Sequence, residues 1–176
     1  MASVHRCTLP PQALTADYLA NGDYVDCYST VVRGRIAHAQ FVETFYTTLL
    51  FKLERLVLFI LLFKPSTDGE IRKLARGELS GFAVWTVESR TENQLLVCDF
   101  LSRTRSWLMV EFEDWEGDLV TRLYFGTVIV RRADKNTGRR KLTLFFKVLL
   151  PFHMVYSRAL LATARWRIKR ESIANR

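Results

Sequence analysis

Between Phe82 and Arg132, four segments rich in β-branched and aromatic residues follow one another with almost nothing between them. They are Phe82–Arg90, Gln94–Leu101, Ser106–Phe112 and Val120–Arg132. The links are Thr91-Glu92-Asn93, Ser102 to Arg105, and a turn at Glu116-Gly117-Asp118. Residues of this kind suit the pleated, half-buried surface of a strand. A parallel neighbour would need a crossover of about a dozen residues. None of these links is that long, so the segments are expected to form antiparallel hairpins. Asp23 to Val32, with Tyr24, Val25, Tyr28, Thr30, Val31 and Val32, adds one more strand and stops at Gly34. The expectation is an α+β domain built on an antiparallel sheet of about five strands.

The remaining chain reads as helix. His38 to Phe63 has neither Gly nor Pro, and Phe41, Phe45, Leu49, Leu53, Leu56 and Ile60 fall on one stripe at spacings of three and four. A straight helix of that length would reach about 39 Å, the width of the whole domain, so a bend is expected at the β-branched pair Thr47-Thr48. Its second half, Leu56 to Phe63, is apolar all round and should be buried on several sides. Thr67-Asp68-Gly69-Glu70 has the spacing of a capping box and starts a short helix that Gly77 can close. Leu142 to Ile168 forms the last helix, with Pro151 kinking or starting it. His153, Tyr156, Leu160 and Ala164 share the stripe expected to face the sheet, and Lys147, Arg158, Arg165 and Lys169 the one expected to face solvent. Residues 1–20, with Pro10-Pro11, read as a flexible or loosely docked lead-in, 21–170 as one domain, and 171–176 as a basic tail.

The types of site that the chain does not encode narrow its chemistry. Cys7, Cys27 and Cys98 are widely spaced and make no CxxC pair, so free thiols in the cytoplasm are expected rather than a zinc centre. His5, His38 and His153 are scattered, with no HxH or HExxH, and neither glycine-rich phosphate loop is present. No metal, cofactor or catalytic motif is therefore expected. No run of 18 uncharged apolar residues occurs, and the N-terminus lacks the apolar core of a signal peptide. Residues 131–176 carry 13 basic and 2 acidic groups, against 13 and 16 in residues 1–130. Arg165, Arg167, Lys169 and Arg170 around Trp166 suit a helix C-terminus through its dipole alone. No nucleic-acid module accompanies them, so nucleic acid is not an expected partner. Peripheral contact with an anionic membrane or a protein through this basic quarter is an alternative.

Two constellations can meet a ligand. Along Arg103-Thr104-Arg105-Ser106-Trp107, strand alternation puts Arg103, Arg105 and Trp107 on one face. Two guanidiniums beside an indole could clamp a carboxylate or phosphate, or the arginines could pair with Glu88, Glu92 or Asp99 at a hairpin rim. His153 and Tyr156, one helical turn apart, could orient a carbonyl or exchange a proton with it, or form a hydrogen-bonded piece of core. With Trp85 and Phe125 as further walls, the expected ligand-binding set is Trp85, Arg103, Arg105, Trp107, Phe125, His153 and Tyr156.

The element order, a strand, a bent helical pair, an antiparallel meander and a long last helix, resembles the helix-grip fold of the START-like (SRPBCC) superfamily of lipid-transfer, polyketide-cyclase and related proteins, with fewer strands than the usual seven. That resemblance implies a sheet wrapped around the last helix and a cavity between them. Three stretches also look like an uncharacterised family of bacterial proteins, a likeness covering about residues 20–168. They are Cys98-Asp99-Phe100 running into Arg103-Thr104-Arg105-Ser106-Trp107, then Leu123-Tyr124-Phe125-Gly126, then Phe152-His153 with Tyr156-Ser157-Arg158-Ala159-Leu160-Leu161. The resemblance implies binding of an apolar or amphipathic small molecule, with a cyclase-like enzyme using His153 and Tyr156 as the alternative.

Overall fold

Short links produce hairpins here as expected. The strands β4 (Trp85–Arg90), β5 (Gln94–Asp99), β6 (Thr104–Trp115) and β7 (Asp118–Ile129) pair in succession, all antiparallel. β2 (Tyr24–Arg33) closes against the far side of β7. The computed structural model describes residues 3–53, 66–133, 140–141 and 144–174. Leu56–Phe63, the turn residues 134–139 and the side chain of Lys147 lie outside the described residues.

The sheet has seven strands where five were expected. The two extra ones are both short and both at edges. β1 (His5–Arg6) pairs with β2, and β3 (Gly81–Phe82) pairs with β4. The expected single strand Phe82–Arg90 in fact folds back on itself: Phe82 faces Trp85 across Ala83-Val84, and Ala83 takes φ 48°. A non-glycine residue rarely adopts that conformation, so nothing in the sequence marked the turn. At the β6–β7 turn the signal was plain, because Glu116 and Gly117 both have positive φ (56° and 83°), as a two-residue hairpin loop requires. A two-stranded hairpin of β8 (Arg132–Ala133) and β9 (Arg140–Lys141) stands apart.

α2 (His38–Tyr46) stops at Thr47 and the chain becomes helical again at 49–53. The Thr47 and Thr48 hydroxyls donate back to the carbonyls of Glu43 (2.7 Å) and Phe45 (3.0 Å), competing locally with the helix ladder. α3 (Asp68–Ala75) carries the complete capping box: Thr67 Oγ1 accepts from the Glu70 N–H, and Glu70 Oε2 accepts from the Thr67 N–H. α4 (Leu144–Ala174) contains Pro151 and runs through residues assigned above to a tail.

Both faces of the sheet are covered. On the inner face Tyr28, Leu95, Val97, Leu108, Val110, Leu123 and Phe125 pack with Phe41 and Phe45 of α2, Ile71 and Leu74 of α3, and Leu160, Leu161, Ala164 and Ile168 of α4. On the outer face Cys27, Leu96, Trp107, Met109 and Tyr124 pack beneath the N-terminal segment, which contributes Cys7, Leu9, Ala13 and Leu14 from the stretch between β1 and α1 (Ala16–Ala20), and Tyr18 from α1. Residues expected to form a loose lead-in are therefore the cover of this second face. Gly126 makes the outer packing feasible. A Cβ there would sit 2.7 Å from the Asp26 carbonyl oxygen and 2.9 Å from the Trp107 ring.

Candidate functional site

Helix α4 leaves a cavity of about 280 Å³ against the inner face of the sheet. That is close to the lower bound of small-molecule pockets, about 300 Å³. Each wall follows from strand or helix periodicity. Phe125 and Thr127 alternate inward on β7, Thr104 and Ser106 on β6, and His153, Tyr156 and Leu160 lie one turn apart on α4. Phe45, Phe51 and Trp85 close the other sides. Phe45 lies 4.7 Å from Phe125 between ring centroids, and Phe152 stacks on Tyr156 at 6.2 Å.

Thr104, Arg105, Ser106, Thr127, His153 and Tyr156 are the polar residues of the lining beside Trp85, and Asp26 and Ser157 stand against His153. Asp26, on β2, is 1% exposed. Its Oδ1 accepts the Thr127 N–H at 2.8 Å, and its Oδ2 lies 3.5 Å from His153 Nε2 and accepts from the Tyr24 hydroxyl at 3.4 Å. Burial and the neighbouring Asp26 charge push the Tyr24 phenol well above its ordinary pKa. His153 Nε2 is also 3.3 Å from Ser157 Oγ, which is fully buried. A carboxylate and a hydroxyl thus share one nitrogen of the imidazole and leave Nδ1 as its other polar atom. On the opposite wall the Trp85 indole N–H is buried with no hydrogen-bond partner among the described residues. An unmatched buried donor of this kind costs about 1–3 kcal/mol.

Of the seven residues expected to bind a ligand, Trp85, Phe125, His153 and Tyr156 line the cavity together, and Arg105 touches its rim. Trp107 does not. It is wholly buried on the outer face, where its Nε1 donates to Gln94 Oε1 at 2.9 Å and its ring lies 6.1 Å from Tyr124. Arg105 and Trp107 do share a face, but it is the one turned away from α4. The Arg105 guanidinium is engaged there by Glu88 (3.0 Å), the Tyr18 hydroxyl (3.0 Å) and the Ser102 carbonyl (2.7 Å), so the hairpin-rim alternative describes it. Arg103 is not among the cavity walls either; its main-chain N–H donates to Asp99 Oδ1 at 2.6 Å, as does that of Thr104 at 2.9 Å. The residues not singled out from sequence are Asp26 and Ser157. Asp26 stands on one strand face with Tyr24, Tyr28 and Thr30, and a carboxylate in such a row was the available signal. Ser157 lies one turn from His153.

The basic end of α4 is partly engaged within the fold. Arg167 donates to Glu171 (2.9 Å) and to Thr47 Oγ1 (2.8 Å), Arg165 to the Val31 carbonyl, and Arg170 stacks over Trp166. No described helix is long and apolar enough to cross a membrane. Comparison with known proteins finds no matching family model, curated protein or solved structure.

Proposed function

We propose that this chain is a helix-grip-like domain that binds an apolar or amphipathic small ligand between its sheet and its C-terminal helix. A seven-stranded antiparallel sheet facing a long last helix supports the fold part of this reading. The observation that carries the functional part is the cavity itself. Aromatic and aliphatic walls surround about 280 Å³, with polar groups contributed by Trp85, Thr104, Ser106, Thr127, His153 and Tyr156, and His153 is backed by Asp26 and Ser157. Apolar walls with a few placed polar groups favour a ligand with a hydrocarbon body and one oxygen-bearing head.

The test is extraction of bound small molecules from the purified protein, followed by titration with decanoic acid and decanol. Leu160→Phe projects a ring into the cavity from a buried position on α4. We expect at least tenfold weaker binding in that variant, with a thermal midpoint within a few degrees of wild type. Equal affinity in both proteins would remove the cavity as the binding site.

The contact between Asp26 and His153 favours a second reading, a cyclase-type enzyme with His153 and Tyr156 handling protons. A carboxylate beside the imidazole can orient the ring and stabilise the positive charge it acquires on taking a proton from a substrate. In this reading His153→Ala abolishes turnover of a polyketone while ligand affinity and folding stay near wild type; unchanged turnover would eliminate it.

A further inference from the structure

The outer face of the sheet holds a second reactive arrangement, unrelated to the cavity. β1 and β2 pair antiparallel with His5 opposite Ser29 and Arg6 opposite Tyr28. The next step along this ladder sets Cys7 against Cys27, with the Cys7 N–H donating to the Cys27 carbonyl at 3.0 Å. Facing hydrogen-bonded residues in such a ladder have Cα atoms about 5.5 Å apart, inside the roughly 4.4–6.8 Å that a disulfide spans. The two Sγ atoms are already only 3.0 Å apart.

The two thiols are chemically unequal. Cys7 is half-buried and Cys27 is buried beside Trp107 and Tyr124. The hydrogen bond from Cys27, helped by Ser29 and the Arg122 charge, outweighs burial and brings the Cys7 thiol down to about 7, while the same contact and burial drive the Cys27 thiol far up. At neutral pH Cys7 therefore supplies a thiolate, the nucleophilic form, and Cys27 an adjacent protonated sulfur. The third cysteine, Cys98, has its thiol pushed up by burial and donates to the Asp99 carbonyl.

We infer that Cys7 and Cys27 are a hydroperoxide-reactive pair that closes into an intramolecular disulfide and fastens the N-terminal segment to the sheet. In the first step the Cys7 thiolate attacks one peroxide oxygen. The O–O bond breaks, hydroxide leaves and is protonated to water, and Cys7 becomes a sulfenic acid, oxidised by two electrons as the peroxide is reduced. In the second step the Cys27 sulfur attacks the Cys7 sulfur. The S–O bond breaks, and the departing hydroxide takes the Cys27 proton to leave as water. Two thiols and one hydrogen peroxide thus give one disulfide and two waters. The bond would close the loop containing α1 and so restrict the cover of the outer face.

The experiment is to treat the reduced full chain with one equivalent of hydrogen peroxide, block remaining thiols with N-ethylmaleimide under denaturing conditions, and read the intact mass and the peptide map. We expect one adduct, on Cys98, with the loss of two hydrogen masses and a Cys7–Cys27 cross-linked peptide. Dithiothreitol should restore three adducts. Cys98→Ser should cross-link as well as wild type, and the oxidised form should melt several degrees higher than the reduced one. Three adducts after peroxide, a cross-link through Cys98, or Cys7 held as a sulfur acid while Cys27 stays alkylatable would each overturn the inference. So would closure by oxidised glutathione but not by peroxide. The wild-type map decides the matter even if substitutions at Cys7 or Cys27 fail to fold.

Discussion

The two faces of the sheet use similar residues to opposite ends. On the outer face the Trp107 indole is wholly buried, its N–H is matched by Gln94, and its ring fills the space that Gly126 leaves free. On the inner face Trp85 is only partly buried, its N–H is unmatched among the described residues, and its neighbours enclose a cavity. Aromatic content therefore does not by itself distinguish core from pocket. The distinction lies in whether each polar edge of a ring finds a partner within the fold.

Substitutions sharpen this contrast. Trp107→Ala should cost about 3–5 kcal/mol, as expected for a large ring removed from a filled core, and Trp85→Ala less than half as much. Urea unfolding of both variants measures the difference, and equal costs would erase the distinction between the faces. The inner face should also carry the acid sensitivity. His38 is buried at the start of α2 with Nε2 3.4 Å from the Leu108 carbonyl, and burial lowers its pKa to about 4. The unfolded chain takes up that proton near pH 6.5, so stability is complete above this value and falls as pH drops toward 4. The loss should approach ~3 kcal/mol. His38→Gln should flatten the stability profile between these limits, and an unchanged profile would assign the acid sensitivity elsewhere. The smallest effect belongs to a residue on neither face. Thr67→Ala removes the cap of α3 and should cost about 1 kcal/mol by thermal melting, with no effect on ligand binding.

The hairpins, the break at Thr47-Thr48 and the capping box were legible in the sequence because each rests on neighbours in the chain. Alternation along β6 was legible too, and Arg105 and Trp107 do share a face. What alternation lacks is an absolute phase. When both faces are covered, apolar residues occupy both sets of positions, and nothing local says which set meets the helix. The N-terminal cover and the placement of Trp107 were missed together for that reason. His153 and Tyr156 were found from helical spacing, but Asp26 is brought to His153 only by the packing of α4 across β2, a contact between distant parts of the chain. Cys7 and Cys27 likewise looked isolated, since their proximity depends on the two-residue strand β1.

The strands at the two ends of the sheet, β1 and β3, are each only two residues long. A sheet normally ends in a row of unmatched peptide groups that a second chain can extend, and long, flat edges invite aggregation. Here each margin ends in a two-residue strand that caps part of a longer one: β1 pairs with Tyr28 and Ser29 of the ten-residue β2, and β3 with Trp85 and Thr86 of the six-residue β4. Strand addition is interrupted at those positions, while the two broad faces of the sheet are directed toward its own helices and its own N-terminus.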